Sequence, residues 1–172
     1  MISDEHRQRY LEYHARKGRL AEKPGDLCAI VEMMCDSFGY TSVLDYGCGC
    51  AQQVSQFPPP GVPVQSYDPG VIGADTPPRP ADLVVCNHML EHVEDEAAAA
   101  AVLRDLHRLT KSTLYLVISL EESTKELLDG TPWHTLVRDS DWWEKLVNEY
   151  LPFASVERGE KEVGFIWRRE DA

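Results

Sequence analysis

With 172 residues, 43% hydrophobic and 27% charged, the chain has the make-up of one globular domain with a substantial core. Its 29 acidic and 17 basic side chains leave a formal charge of −12, which repels phosphate backbones and disfavours direct nucleic-acid binding. No apolar run approaches a membrane span, the first residues lack a signal-peptide pattern, and five cysteines fit reduced thiols, so a cytoplasmic protein is expected.

Residues 3–17 carry a polar helical pattern bearing Tyr10, Leu11 and Tyr13, with Gly18 as its stop. A second helix is expected from Asp26, as N-cap, to Phe38, with Ile30, Val31, Met34 and Phe38 as its apolar stripe and Gly39 as C-cap. Cys28 and Cys35 fall on it as core fillers. A strand over Ser42–Tyr46 follows, then a short helix over Ala51–Phe57 stopped by three prolines, then a strand over Val62–Tyr67. Pro69–Pro80 contains four prolines and two glycines, too little room for a helix plus a strand. Next come a strand over Asp82–Cys86 and an Ala-rich crossover helix over Asp95–Leu109. The apolar stretch Thr113–Leu120 reads as a central parallel strand. After a polar connection over 121–135, a helix begins at Asp139-Ser140-Asp141, and Phe153–Arg158 with Glu162–Trp167 close the chain as an antiparallel hairpin. The expected fold is α/β, a mostly parallel sheet with a terminal antiparallel strand.

Three segments carry the chemistry. Val43-Leu44-Asp45-Tyr46-Gly47-Cys48-Gly49-Cys50-Ala51 is a buried strand ending in a glycine-punctuated turn, where the backbone can take positive φ and a ligand can approach closely. Asp68-Pro69-Gly70 ends the next strand, and an acidic residue there can accept hydrogen bonds from both ribose hydroxyls. Ala81-Asp82-Leu83-Val84-Val85-Cys86 leads into a polar turn and the triplet Leu90-Glu91-His92. In order and spacing these segments resemble, over about residues 40–170, the class I S-adenosylmethionine-dependent methyltransferases of the general small-molecule type. That family's first motif is acidic-x-Gly-x-Gly-x-Gly, whose third glycine is Ala51 here. The dinucleotide fingerprint would need a glycine where Gln52 stands, and Asp45 suits a cationic amino group better than a pyrophosphate.

The resemblance implies a Rossmann-like three-layer sandwich and S-adenosyl-L-methionine as cofactor. Residues 1–172 would form a single domain, the helices of 1–39 serving as a lid over a core of 40–172. Gly47, Cys48 and Gly49 would give close approach, Asp45 would stand near the methionine amino group, and Asp68 with Pro69 would hold the ribose. Asp75 could contact the adenine amino group. Backbone at Asn87, His88 and Met89 would line the methionine side. Tyr10, Tyr13 and His14 are candidates for the lid. The compressed stretch after Asp68 departs from the larger family members.

Methyl transfer from a sulfonium is an in-line displacement that needs no metal and no covalent intermediate; the protein aligns the acceptor and excludes water. A base is required only when the acceptor loses a proton, and His134 in Thr131-Pro132-Trp133-His134-Thr135 is the candidate. His88 and His92 could orient backbone or cap a helix start. Asn87-His88-Met89-Leu90 lacks the Pro-Pro-aromatic run of amino-methylating DNA enzymes, which leaves a small molecule or a side chain presented by a partner protein as acceptor. Two other readings stay open. A non-catalytic methyltransferase-like module would bind the nucleoside or a partner without turnover. A zinc-binding protein would use Cys48, Cys50, Cys86, His88 and His92.

Overall fold

The computed structural model describes residues 2–17 and 25–169; the expected stop at Gly18 lies outside them. In chain order the elements are α1 (Asp4–Lys17), α2 (Asp26–Phe38), β1 (Val43–Tyr46), α3 (Gln53–Gln56), β2 (Val64–Tyr67) and β3 (Ala81–Asn87). A 3-10 turn over Leu90–His92 follows, then α4 (Glu96–Leu109), β4 (Thr110–Ser119), α5 (Ser140–Tyr150), β5 (Ser155–Arg158) and β6 (Glu162–Arg168). The six strands form one sheet in the order β2-β1-β3-β4-β6-β5. The first four are parallel, and β6 runs antiparallel between β4 and β5. This is the expected α/β architecture.

Alternation along the strands splits the core in two. Leu44, Tyr46, Val84 and Cys86 pack with Leu103, Leu106, Trp143 and Leu146 of α4 and α5. On the other face Val43, Leu83 and Val85 meet Val31 and Met34 of α2 and Val54 of α3. The short β1 is buried at all four positions, which explains its unbroken apolar reading except for Asp45. Burying a side chain such as Trp143 or Phe165 completely contributes about 1.5–3 kcal/mol. Asp95 and Asp139 cap α4 and α5 by accepting from the Ala98 and Trp142 amides, both at 2.8 Å, worth about 1 kcal/mol each.

β2 starts at Val64 rather than Val62, and four other boundaries differ from expectation for local reasons. Asp26 is the first helical residue of α2 rather than its cap; Gly25 occupies the cap and makes no side-chain bond. α3 keeps only Gln53–Gln56, because Gln52 sits in left-handed backbone at φ 45° and the turn before it stays non-helical. β4 begins directly after α4, earlier than the apolar stretch suggests, since Thr110 ends the helix in extended backbone. β5 starts only at Ser155, because Phe153 is left-handed at φ 65° and projects into solvent.

The Asp68–Pro80 stretch contains no helix or strand, as its prolines require. It closes on itself through the Asp68 amide to the Ala74 carbonyl (2.9 Å) and the Ala74 amide to the Val71 carbonyl (3.1 Å). Among the described residues no helix is long and apolar enough to cross a membrane.

Candidate functional site

A cavity of about 670 Å³ opens at the carboxyl edge of β1, β2 and β3, with α1 as its roof. Its floor is the glycine turn after β1. Gly47 and Gly49 both have positive φ, at 79° and 56°. The Gly47 and Cys48 amides donate to the Tyr67 carbonyl at 2.7 and 3.2 Å, which ties the turn to β2. A Cβ on Gly47 would run into the Met89 side chain, whereas the space over Gly49 is open. Glycine is therefore demanded at position 47 by both backbone and packing.

Asp68 joins two turns. One carboxylate oxygen accepts from the Gly49 amide at 3.0 Å and the other from the Gly70 amide at 2.7 Å. Burial pushes its carboxyl up, and the two amides oppose that shift. Each oxygen retains a second lone pair for a ligand hydroxyl. Asp45 lies on the opposite face of the sheet from Tyr46. Burial, with Asp68 as a second cause, pushes its carboxyl up to about 7.

The cavity wall includes Gly47, Cys48, Gly49, Asp68 and Pro69 of the expected cofactor set, and Asp75, His88 and Met89 as well. Asp45 and Asn87 are not on the wall, and neither is His134. Asp75 is held by Arg7, 3.3 Å away, whose Nε also donates to the Pro69 carbonyl at 2.9 Å. Sequence reading missed Arg7, because nothing local marks a residue of α1 as a partner of the loop after β2.

The roof is fixed by aromatic contacts. Tyr10 donates its hydroxyl to the Trp133 carbonyl at 2.9 Å and packs on Gly70, where any Cβ would meet its own. The Trp133 ring lies 5.1 Å from Tyr10 and 4.3 Å from Tyr13. His14 also faces the cavity, and burial lowers its pKa. Tyr10, Tyr13 and His14 thus stand on the helix that roofs the cavity, and Trp133 is the counterpart that the sequence did not reveal.

The far wall carries histidines. His88 is left-handed at φ 52°, an uncommon conformation for a residue with a Cβ. Its ring nitrogens lie 3.2 Å from Glu91 and 3.3 Å from Glu162, and the hydrogen bond to Glu91 raises its pKa. His92 caps no helix; its Nδ1 donates to the Trp133 carbonyl at 2.7 Å, and burial lowers its pKa. The thiols do not assemble the proposed zinc set. Cys48 packs with Val71 and Ala74, Cys86 is sealed in the α4 core, and Cys50 meets His14 at 3.2 Å.

The model of the methyltransferase domain matches residues 4–153. The chain belongs to the methyltransferase domain family. Comparison with curated proteins finds no match. Among solved structures, the methyltransferase fold recurs in the N-methyltransferase NodS from Bradyrhizobium japonicum WM9, determined with S-adenosylhomocysteine. It is 13% identical, with 98% of this chain and 100% of that one covered at a TM-score of 0.62. An O-methyltransferase family protein from Burkholderia thailandensis is 15% identical over 84% of this chain, at a TM-score of 0.60. This methyltransferase-family chain spans only 55% of that protein's length. A 1,6-didemethyltoxoflavin-N1-methyltransferase from Burkholderia thailandensis, solved with 1,6-didemethyltoxoflavin and S-adenosylhomocysteine, is 15% identical. There the match covers 85% of this chain and 77% of the other, with a TM-score of 0.57.

Proposed function

We propose that this methyltransferase-family chain transfers the methyl group of S-adenosylmethionine to a small-molecule acceptor. The observation that carries the reading is the cavity floored by Gly47–Gly49, edged by Asp68 and roofed by α1. Its volume of about 670 Å³ falls in the range of about 300–1,000 Å³ typical of small-molecule sites. Relatives of the same fold are crystallised with S-adenosylhomocysteine. The open space over Gly49 admits a ligand next to the free lone pairs of Asp68, which suits ribose hydroxyls. The α1 roof narrows the cavity, which favours a small acceptor over a large one, and five cysteines outside any disulfide suit a cytoplasmic, reducing setting.

Bound beside Gly49 and Asp68, S-adenosylmethionine would supply a methyl group already activated by its sulfonium, for in-line transfer to an acceptor lone pair with the carbon–sulfur electrons returning to sulfur. The chain's part is alignment and exclusion of water. Calorimetric titration with S-adenosylhomocysteine tests the proposal. One-to-one binding is expected, weakened about 10- to 100-fold in Asp68→Ala through loss of charge-assisted bonds of about 1.5–3 kcal/mol. Thermal unfolding of the same variant separates a disturbed turn from a lost ligand contact. If neither the cofactor nor its demethylated product bound the wild-type chain, a partner-binding module would replace this reading.

A further inference from the structure

Beside the cavity, three side chains from two distant parts of the chain meet. One carboxylate oxygen of Glu91 and one ring nitrogen each of His92 and His134 lie within 4.8 Å of one another. Glu91 and His92 belong to the 3-10 turn after β3, and His134 to the connection between β4 and α5. That connection is fastened to the turn by its own backbone. The amides of Thr135 and Leu136 donate to the Glu91 carbonyl at 2.9 and 3.0 Å, and Thr135 Oγ1 donates to the His92 carbonyl at 2.9 Å. The position of His134 over Glu91 and His92 is therefore built into the fold.

Each side chain is also prepared. Glu91 is fully buried. Its Oε1 accepts from the Ser119 amide at 3.3 Å and faces His88 at 3.2 Å, but its Oε2 has no hydrogen-bond partner among the described residues. A buried carboxylate oxygen without a donor is costly, and a cation removes that cost. His92 directs Nδ1 to the Trp133 carbonyl and His134 directs Nδ1 to the Glu121 carbonyl, both at 2.7 Å. A carbonyl only accepts, so both Nδ1 atoms carry the proton and both Nε2 atoms keep a lone pair. This is how histidines that bind metal are oriented by their outer partners. The two rings meet edge to face, 4.9 Å between centroids.

We propose that Glu91, His92 and His134 form a binding site for one divalent transition-metal ion. Two imidazoles and one carboxylate suit zinc, iron or cobalt rather than calcium or magnesium, which take oxygen ligands. Ligands around such an ion stand roughly 3.4 Å apart at bond lengths of about 2.1 Å, so side-chain shifts of about an ångström close the set. Three protein ligands leave a position open for water or for an oxygen atom of a bound molecule. His92 is shared with the cavity wall, so that open position borders the cavity. The donor set differs from the cysteine-based one read from the sequence and contains no sulfur.

The test uses the full chain without a histidine tag, stripped by chelator and titrated with Co²⁺. Uptake of one equivalent with visible d–d absorption, displaced by Zn²⁺, is expected. His134→Ala, which alters a half-buried loop residue, should lower the affinity more than tenfold while circular dichroism shows an intact fold. Glu91→Gln should act in the same direction. No stoichiometric uptake, or uptake at unchanged affinity in folded His134→Ala, would overturn the site. Titration with S-adenosylhomocysteine reports on the cavity separately, so either reading can fail without the other.

Discussion

The two walls of the cavity are built in different ways. The glycine wall is local: Gly47 to Gly49 is one turn, and Asp68, which braces it, stands 19 residues from Gly49. The histidine wall is assembled from afar. Tyr10 reaches Trp133 across 123 residues, and His92 reaches the carbonyl of Trp133 across 41. A local turn depends on allowed backbone angles, whereas the far wall depends on how three separate segments pack. The first should break through strain and the second through loss of single contacts.

Gly47→Ala strikes the glycine wall hardest. Left-handed backbone costs a residue with a Cβ about 1–2 kcal/mol, and crowding Met89 adds about 1–3, so a loss of about 2–5 kcal/mol in urea unfolding is expected. Met89→Ala in the same chain removes the Cγ clash but keeps the Met89 Cβ, 2.7 Å from the added methyl, so it should recover only part of the crowding share. If the double variant recovers nothing, the backbone angle and the Met89 Cβ account for the whole loss.

Asp45 probes the support beneath that wall through pH. Its carboxyl titrates at about 7 in the folded chain against 3.8 as the unperturbed value. The folded state therefore binds more protons between those values, and stability falls as pH rises through that window. Asp45→Asn removes the titration. It should stabilise the chain by roughly 1–3 kcal/mol at pH 8, with the gap closing toward pH 4. A gap that widens on acidification would show that the ionised carboxylate is held favourably instead.

The smallest effect belongs to the contact between the roof and the far wall. Tyr10→Phe removes the hydroxyl bond to Trp133 but keeps the ring, at a cost of about 1 kcal/mol. Hydrogen exchange should quicken in α1 and stay unchanged in β1 and β3. Unchanged exchange in α1 would assign the roof to ring packing against Trp133 and Gly70 alone.

Much of the fold was legible because strands and helices announce themselves by local period. β1, β2, β3, α4 and the closing hairpin all fall where apolar alternation or helical stripes put them. Two of the misplaced boundaries sit where a single backbone angle decides, at Gln52 and Phe153, and side-chain type does not report that angle. The candidate site divides in the same way. Gly47, Gly49 and Asp68 face the cavity as their motif suggests, while Asp45 turns to the α2 side because strand alternation carries it away from Tyr46. His134 stands behind His92 rather than on the cavity wall, since Thr135 and Leu136 bind the Glu91 carbonyl.

From its residues alone the chain specifies its strands and helices in α/β order, a glycine turn and an acidic strand end, because each is written in a pattern a few residues long. Tertiary packing alone decides that α1 closes over the cavity and that Glu91, His92 and His134 converge. Those contacts join segments far apart in the chain, and no local pattern encodes which loop carbonyl or amide will meet them.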